Sequence, residues 1–259
     1  MSSDSSDTII YEHPLNERVR TLLRLEHLFC EVAYHAPCHE IWASRAAISS
    51  LLDMASIFSR ADIKTDLIKE LKRHQKKLQG IDMSQGVDTD RLQQILDELK
   101  LIMEEIHAIS GQLGYSLRNN EFLKSIMQRS SIPGGNCTFD LPLYHYWLEQ
   151  PYELRQAQLQ EWIGTLGPVE SAVTLILSLI RGSTRPTTEQ AEAGFFQRNL
   201  NSQTPAQLIR VGLPCESRLF AEISGGKHRF SVRFMEVSES ERPGQTKADL
   251  PFYLNCCIL

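Results

Sequence analysis

Residues 225–234 are Gly-Gly-Lys-His-Arg-Phe-Ser-Val-Arg-Phe, and polar side chains alternate with apolar ones along most of this run. Side chains of an extended strand point to opposite faces with a period of two. The run therefore predicts a β-strand that follows a glycine turn. The face expected to enter a core consists of Phe230, Val232 and Phe234. The opposite, cationic face consists of Lys227, Arg229 and Arg233.

This cationic face indicates the kind of partner that the protein contacts. Along a strand, the separation of Arg229 and Arg233 corresponds to about 13 Å. That spacing is too wide for both arginines to bind one small anion, and it suits an extended acidic or mixed-charge peptide or a phosphate backbone. Between residues 200 and 235, five basic side chains stand against two acidic ones, whereas the whole chain has a formal net charge of −5.

Composition bounds the class of protein. The chain has 259 residues, 42% hydrophobic and 23% charged, as in a globular protein. Its net charge of −5 argues against a dedicated nucleic-acid coat protein or a strongly basic membrane binder. Residues 1–7 lack the features of a signal peptide, and no apolar run approaches the roughly 18 residues of a membrane span. Six cysteines without a CxxC pair indicate reduced thiols in a cytosolic protein.

Apolar residues between 19 and 182 recur at helical spacing. The helices predicted from this spacing lie at 19–32, 41–60, 66–78, 89–106, 119–130, 141–149, 152–164 and 168–182. Asp88 or Thr89 is expected to cap the fourth helix. The third and fourth helices are joined by the loop 80–87, and they are expected to form an antiparallel hairpin.

The pattern changes after Arg181. Residues 182–188 are rich in Gly, Ser, Thr and Pro, which predicts a linker. Short β-like runs follow at 194–197, 208–213, 219–223, 228–237 and 252–257. Helices followed by strands predict an α+β protein with segregated parts. We expect the isolated run Thr8–Tyr11 to join the C-terminal sheet, giving an N-terminal tail and strand (1–12), a helical domain (13–182) and a linker with a smaller antiparallel β-domain (183–259).

Three motifs are distinctive, and they occur in a fixed order along the chain. The first is Tyr-Glu-His-Pro-Leu-Asn-Glu at 11–17, followed by Leu-Arg-Leu-Glu at 23–26. The second is Ser-Ile-Pro-Gly-Gly-Asn-Cys-Thr-Phe-Asp-Leu-Pro at 131–142, and the third is the run at 223–234. Together they resemble ZapD, the Z ring-associated protein D family of bacterial cell division, from about residue 9 to residue 257.

The resemblance implies a cytoplasmic, non-enzymatic homodimer without a cofactor. Such a protein binds the C-terminal tail of the tubulin-like protein FtsZ and cross-links its filaments at midcell, with the tail in a basic cleft between the helical and strand parts. The residues that the resemblance assigns to the tail are Arg24, Arg60, His145, Lys227, Arg229 and Arg233. One departure is Glu121, because relatives can carry a basic residue three positions after the arginine that matches Arg118.

Each assigned residue also has a plainer interpretation. The strand face is also consistent with a solvated surface, and Arg24 with an ordinary surface arginine. Arg60 also suits the C-terminus of a helix, where a cation is favourable. His145 has aromatic neighbours among which a histidine can pack. The alternative function is a nucleic-acid binder that uses the lysine-rich face Lys69–Lys77 together with the strand.

No motif predicts chemistry. His35, Cys38 and His39 are too few for a zinc site, and no partner pair stands at a suitable spacing. Gly225-Gly226-Lys227 lacks the rest of a phosphate-binding loop. The run Cys256–Leu259 fits a prenylation box by chance, since no polybasic stretch lies near it. We therefore expect no catalytic residue, metal or cofactor, and neither nucleic acid nor membrane as a partner.

Overall fold

In the computed structural model the chain divides into two compact units. One contains residues 1–20 and 177–259, and the other contains residues 21–176. The predicted α+β class is confirmed, because helices precede the strands in all but the first element. The structure describes residues 7–60, 62–81, 88–201, 203–238 and 242–258. The first six residues, positions 82–87 of the predicted loop and Leu259 lie outside the described residues.

The helices agree closely with the apolar spacing. They are α1 (Glu17–His35), α2 (Ile41–Arg60), α3 (Ile63–Gln79), α4 (Thr89–Ala108), α5 (Tyr115–Asn119), α6 (Glu121–Ser130), α7 (Pro142–Leu148), α8 (Tyr152–Gly164) and α9 (Gly167–Gly182). The prediction of a single helix at 119–130 is wrong in one respect. The structure has two helices here, α5 and α6, which are separated at Asn120. The Asn120 side chain accepts a hydrogen bond of 3.1 Å from the Leu123 N–H and so begins α6 afresh.

The hairpin of α3 and α4 is confirmed. Asp88 caps α4 as predicted, since its side chain accepts a 3.0 Å hydrogen bond from the Arg91 N–H. At the other end, Lys64 Nζ in the first turn of α3 donates to the carbonyl of Ile109, directly after α4, at 2.6 Å. The start of α3 therefore lies beside the end of α4, so the two helices are antiparallel.

An aromatic cluster holds α6, α7 and α8 together in the helical unit. The ring of Phe122 lies 6.0 Å from that of Tyr144, 5.7 Å from that of Trp147 and 5.8 Å from that of Trp162. Aromatic pairs of this kind stabilise the fold by about 0.5–1.5 kcal/mol per pair beyond the effect of the apolar area that they bury. Within the described residues no single helix is long and apolar enough to cross a membrane, and only the bent pair α8 and α9 reaches that length and composition together.

The strands of the other unit are all antiparallel within the described residues. They are β1 (Thr8–Pro14), β2 (Thr187–Ala191), β3 (Phe195–Asn199), β4 (Leu208–Pro214), β5 (Leu219–Gly225), β6 (Arg229–Glu236), β7 (Gly244–Gln245) and β8 (Leu250–Cys257). The prediction that the N-terminal strand joins the C-terminal strands is confirmed, because β1 pairs with β4. His13 and Pro14 extend β1 rather than end it, since an edge strand tolerates a residue without an N–H.

The described strands form two sheets, whereas the sequence pattern suggested a single one. Their orders are β1-β4-β8-β2 and β3-β6-β5, with β7 paired to β6. The sheets pack face to face around a shared core. In this core the ring centroid of Phe252 in β8 lies 4.9 Å from that of Phe234 in β6 and 5.1 Å from that of Phe196 in β3. Sheets that bury one face each form a β-sandwich. The outer face of β3-β6-β5 carries the exposed side chains of Glu222, Arg229 and Arg233.

Candidate peptide-binding site

The alternation predicted for the run at 225–234 is confirmed in β6. Phe230, Val232 and Phe234 are at most 1% exposed and belong to the sandwich core. Arg229 and Arg233 are exposed on the opposite face. Burial of three large apolar side chains fixes the direction in which both arginines point, because a shift of one residue would turn all five side chains over.

Lys227 lies in the turn before β6 and not on the strand face, which corrects the prediction for this residue. The Gly226 N–H donates a 3.0 Å hydrogen bond to the carbonyl of Arg229. This bond closes a four-residue turn with the exposed Lys227 and His228 at its tip. The ammonium group therefore stands at the end of the β5–β6 hairpin, beyond the two arginines.

Gly225 allows the base of this hairpin to approach its surroundings closely. A Cβ atom at this position would lie 2.9 Å from Leu15 Cδ2 and 2.9 Å from Phe230 Cβ. Contacts that short do not occur between real side chains, so the approach requires a glycine. At the neighbouring Gly226 nothing lies within 4 Å of the same atom.

The register places further side chains beside Arg233. It lies opposite Glu222 of β5 on one side and Phe195 of β3 on the other. Phe195 is 37% exposed and offers an apolar surface next to the guanidinium. Across the same face Ser231 lies between Gln197 and Ser224. The sequence alone did not identify Phe195 or Gln197, because their proximity depends on the pairing of β3 with β6.

Two shallow hollows follow this face. One has a volume of about 400 Å³ and is lined by Gln197 and residues 224–231. The other has a volume of about 430 Å³ and lies between Glu222 and Arg233. This face offers hydroxyl, amide and guanidinium groups together with one exposed aromatic ring. A protein can bind an extended peptide with such groups, since the polar ones hydrogen-bond to the peptide backbone and the ring contacts an apolar side chain.

Among the described residues, neither arginine of this face, Arg229 or Arg233, forms a close ion pair within the fold, although Glu222 lies opposite Arg233. Arg210 behaves differently, although it contributed to the basic excess in the sequence. Its Nε donates to Glu12 at 2.8 Å, so its charge is matched inside the fold.

In the helical unit, Arg24 and Arg60 lie on separate helices. Arg24 is exposed on α1, and none of the described residues accepts a hydrogen bond from its side chain. Arg60 is the exposed last residue of α2 and lines a hollow of about 270 Å³ together with Lys64 and Gln112. Arg118 reaches the same hollow indirectly, because its Nη2 donates to Gln112 Oε1 at 2.9 Å.

His145 is exposed on α7, so the interpretation of a packed histidine is wrong. Its side chain is 46% exposed, and its Nδ1 lies 3.8 Å from Glu149 Oε1. Glu121, at the position of the departure, is also exposed and pairs with Lys124 at 3.2 Å. No described contact joins His145 to Arg24 or Arg60, and the role of the six assigned residues in binding a tail stays a prediction.

The histidine and cysteine cluster at 35–39 has other contacts. The His39 ring stacks on Tyr152 with 3.8 Å between centroids. Cys38 Sγ lies 3.2 Å from the carbonyl oxygen of Tyr34. Within the described part of the chain, no group of three or more His, Cys, Asp or Glu side chains is arranged to share a metal ion.

Comparison with known proteins identifies relatives along almost the whole chain. The ZapD family model, described as a cell division protein, matches residues 23–233. A protein of Methylococcus capsulatus named Cell division protein ZapD is 42% identical over 251 residues, which is 97% of this chain and 98% of that protein. Proteins of the same name from Coxiella burnetii and an Enterobacter species are each 39% identical over 252 residues, covering 96% and 97% of this chain and 98% and 100% of their own lengths.

Proposed function

The chain belongs to the ZapD family of cell division proteins, and from that premise we propose that it binds the C-terminal tail of FtsZ. As a homodimer it would cross-link and bundle FtsZ filaments and so stabilise the Z ring at midcell, in the cytoplasm. The proposed role is one of binding and requires no chemical step. The assignment to cell division rests on the family, whereas the tail, the dimer and the bundling are our proposal.

The observation that carries the proposal is the outer face of β6, with its two unpaired arginines. A guanidinium group can bind a carboxylate through two parallel hydrogen bonds, and it can also lie along a peptide carbonyl. Arg229 and Arg233 stand on one side of the strand, with Phe195 beside the second arginine. An extended tail with carboxylates and at least one apolar side chain would match these three groups.

The strength of such a contact is limited. An exposed ion pair contributes about 0–1 kcal/mol, so a single tail would bind with moderate affinity that weakens as salt rises. A dimer with one site per subunit would hold two tails at once. Many such bivalent links along two polymers produce tight bundling from weak individual contacts.

Co-sedimentation with FtsZ filaments tests the proposal. The protein is mixed with filaments of intact FtsZ and with filaments from which the C-terminal tail has been deleted, and the pellets are compared. We expect the protein to pellet with intact filaments and to stay in the supernatant with tail-deleted ones. Equal pelleting with both would refute tail binding, and electron microscopy of the same samples reports bundling independently.

One observation keeps the nucleic-acid alternative open to test. Lys69, Lys72 and Lys76 are exposed along one face of α3. A gel-shift titration with duplex DNA and single-stranded RNA, repeated across salt concentrations, measures this activity. Nucleic-acid binding would appear as a shift that falls steeply with salt, and charge reversal of the three lysines would remove it while leaving FtsZ co-sedimentation unchanged.

A further inference from the structure

The helical unit carries an open apolar groove that the proposed tail contacts do not use. It has a volume of about 750 Å³ and lies between α2 and the loop before α7. The most prominent side chains along it are Trp42 and Phe139, which are 76% and 81% exposed. Large apolar side chains with that much exposure mark interaction surfaces when they border a depression. Phe139 belongs to the distinctive motif at 131–142, to which the proposed function assigns no role beyond its family signature.

The loop that presents Phe139 is held in place by its own contacts. The Gly135 N–H donates to the carbonyl of Ile132 at 2.9 Å, and Arg129 Nη1 lies 3.6 Å from Asp140 Oδ1. A Cβ atom on Gly135 would collide with the Arg129 carbonyl, so the turn requires its glycine. The outward position of Phe139 is therefore a built feature of the loop.

The groove contains one cationic side chain, and it lacks an anionic partner. The guanidinium carbon of Arg45 lies 5.2 Å from the centroid of the Trp42 ring and 5.0 Å from that of the Tyr144 ring. Within the described part of the chain, no carboxylate pairs with Arg45, and its hydrogen bond to the Asn136 carbonyl is long, at 3.5 Å. The rings of Trp42 and Tyr144, which lie against the guanidinium group, hold Arg45 in position, and the remaining N–H groups of Arg45 can bind a ligand.

Two polar groups complete the lining. Burial raises the pKa of Tyr144 to about 12, although the charge of Arg45 opposes this shift, so the phenol stays neutral and the positive charge of Arg45 is uncompensated. Asn136 Oδ1 is buried and has no hydrogen-bond partner among the described residues. A ligand N–H would satisfy this acceptor only if the Asn136 side chain turned towards the groove, because less than 1 Å² of the atom is accessible.

We propose that this groove binds a short acidic peptide segment in which an aromatic or aliphatic side chain stands next to a carboxylate. The apolar side chain would lie against Trp42 and Phe139, and the carboxylate would pair with Arg45. A basic segment is repelled by Arg45, and a wholly apolar one would leave that charge covered and unpaired. The groove is lined by none of the six residues assigned to the FtsZ tail, so this proposal stands apart from the proposed function.

A random heptapeptide display library, selected in parallel on the full-length protein and on Arg45→Gln, tests the proposal. We expect sequences enriched only on the unmodified protein to carry Asp or Glu beside an apolar residue. A synthetic peptide of the enriched sequence should shift the emission of exposed Trp42 to shorter wavelength. It should bind Arg45→Gln about tenfold more weakly, and Trp42→Phe should lose the shift, because Trp147 and Trp162 are buried.

Two controls separate binding from folding. Arg91→Gln removes an exposed arginine from α4 and should leave peptide binding unchanged. Phe139→Ser alters an exposed side chain, so it should keep the thermal midpoint while weakening the peptide. Enrichment that is absent, equal on both proteins or free of carboxylates would overturn the proposal. So would a Trp42 emission that shifts with protein concentration alone, because the groove would then be filled by a second copy of the chain.

Discussion

Arg181 of α9 binds both carboxylate oxygens of Glu12 in β1. Its Nε donates to Oε1 at 2.8 Å and its Nη2 donates to Oε2 at 2.7 Å. Arg210 of β4 adds a third hydrogen bond to Oε1 at 2.8 Å. Burial raises the pKa of Glu12, but the hydrogen bonds and charges of the two arginines outweigh it, so the pKa lies below its ordinary value of 4.5.

Replacing Glu12 with glutamine should lower the free energy of unfolding by about 1.5–3 kcal/mol, because two largely buried guanidinium groups lose a charged acceptor. Chemical denaturation at pH 7 measures the loss. Glu216→Gln, at an exposed carboxylate of the same unit, is the control and should change stability by less than about 0.5 kcal/mol. Equal losses of stability in both variants would show that the ion pairs of Glu12 do not stabilise the fold.

The contribution of Glu12 should also depend on pH. A carboxyl group whose pKa is lowered by folding stabilises the folded state fully above its unfolded pKa, and that stabilisation is lost as the pH falls through the folded pKa. The difference between the unmodified protein and Glu12→Gln should therefore be constant above pH 4.5 and shrink below it. Denaturation curves at a series of acidic pH values give this difference, and a constant gap would contradict the assignment.

His74 should make the protein less stable in mild acid. It is 0% exposed on α3, and burial, supported by the charge of Arg73, lowers its pKa from 6.5 to about 4 despite the opposing charge of Glu70. The unfolded chain then binds a proton between these pH values and the folded one does not. The free energy of unfolding should fall by up to about 1.4 kcal/mol per pH unit as the pH drops from 6.5 towards 4.

The variant His74→Gln should lack this slope, whatever its constant offset in stability. His107→Gln, at an exposed histidine of α4, should retain the slope of the unmodified protein. Urea denaturation between pH 4 and pH 8 gives all three profiles. Parallel profiles for the unmodified protein and His74→Gln would place the acid sensitivity elsewhere.

Reversing the charge of Arg229 and Arg233 together should weaken binding to an FtsZ tail peptide by about tenfold or more, since two attractive pairs become repulsive. The fold should persist, because both side chains are exposed. Arg218→Glu with Lys247→Glu changes the net charge equally at other exposed positions of the same unit, and it should bind normally. Fluorescence anisotropy with a labelled tail peptide compares them, and equal weakening by both pairs would indicate an effect of net charge alone.

Adjacent glycines should respond differently to alanine. Gly225→Ala introduces a Cβ atom 2.9 Å from Leu15 Cδ2 and Phe230 Cβ, and the strain should cost about 1–3 kcal/mol of stability. Gly226→Ala meets nothing within 4 Å and should change stability by less than about 0.5 kcal/mol. Thermal unfolding of the two variants measures this difference. Similar midpoints would contradict the prediction, because they would show that the base of the hairpin accommodates the added methyl group without strain.

The sequence was most informative where burial imposes a period. Alternation in β6 specified which side chains face the core, and helical spacing located α2 and α8 at their observed bounds. It failed for β2, whose Thr-Thr-Glu-Gln-Ala is polar and mostly exposed and therefore resembles a linker. It also failed for β7, because two residues carry no period at all.

The candidate site was predictable only in part, for the same physical reason. Arg229 and Arg233 follow from local alternation, whereas Phe195 reaches Arg233 through pairing between strands that are distant in sequence. The groove was not predictable, because Trp42 and Phe139 have the composition of core residues, and only the tertiary structure shows them exposed. Long-range pairing and exposure depend on the whole fold and leave no local pattern.

The pairing of β1 with β4 also affects when the sandwich can form during synthesis. The partners Thr8↔Pro214 and Pro14↔Leu208 are 206 and 194 residues apart, by subtraction of their numbers. At a translation rate of about 5–20 residues per second, β1 waits roughly 10–40 seconds for its partner to be made. Until then β1, which carries Ile9 and Ile10, has no strand with which to pair. Because β1 is made well before the strand with which it pairs, it can be ordered in the sandwich only late in synthesis.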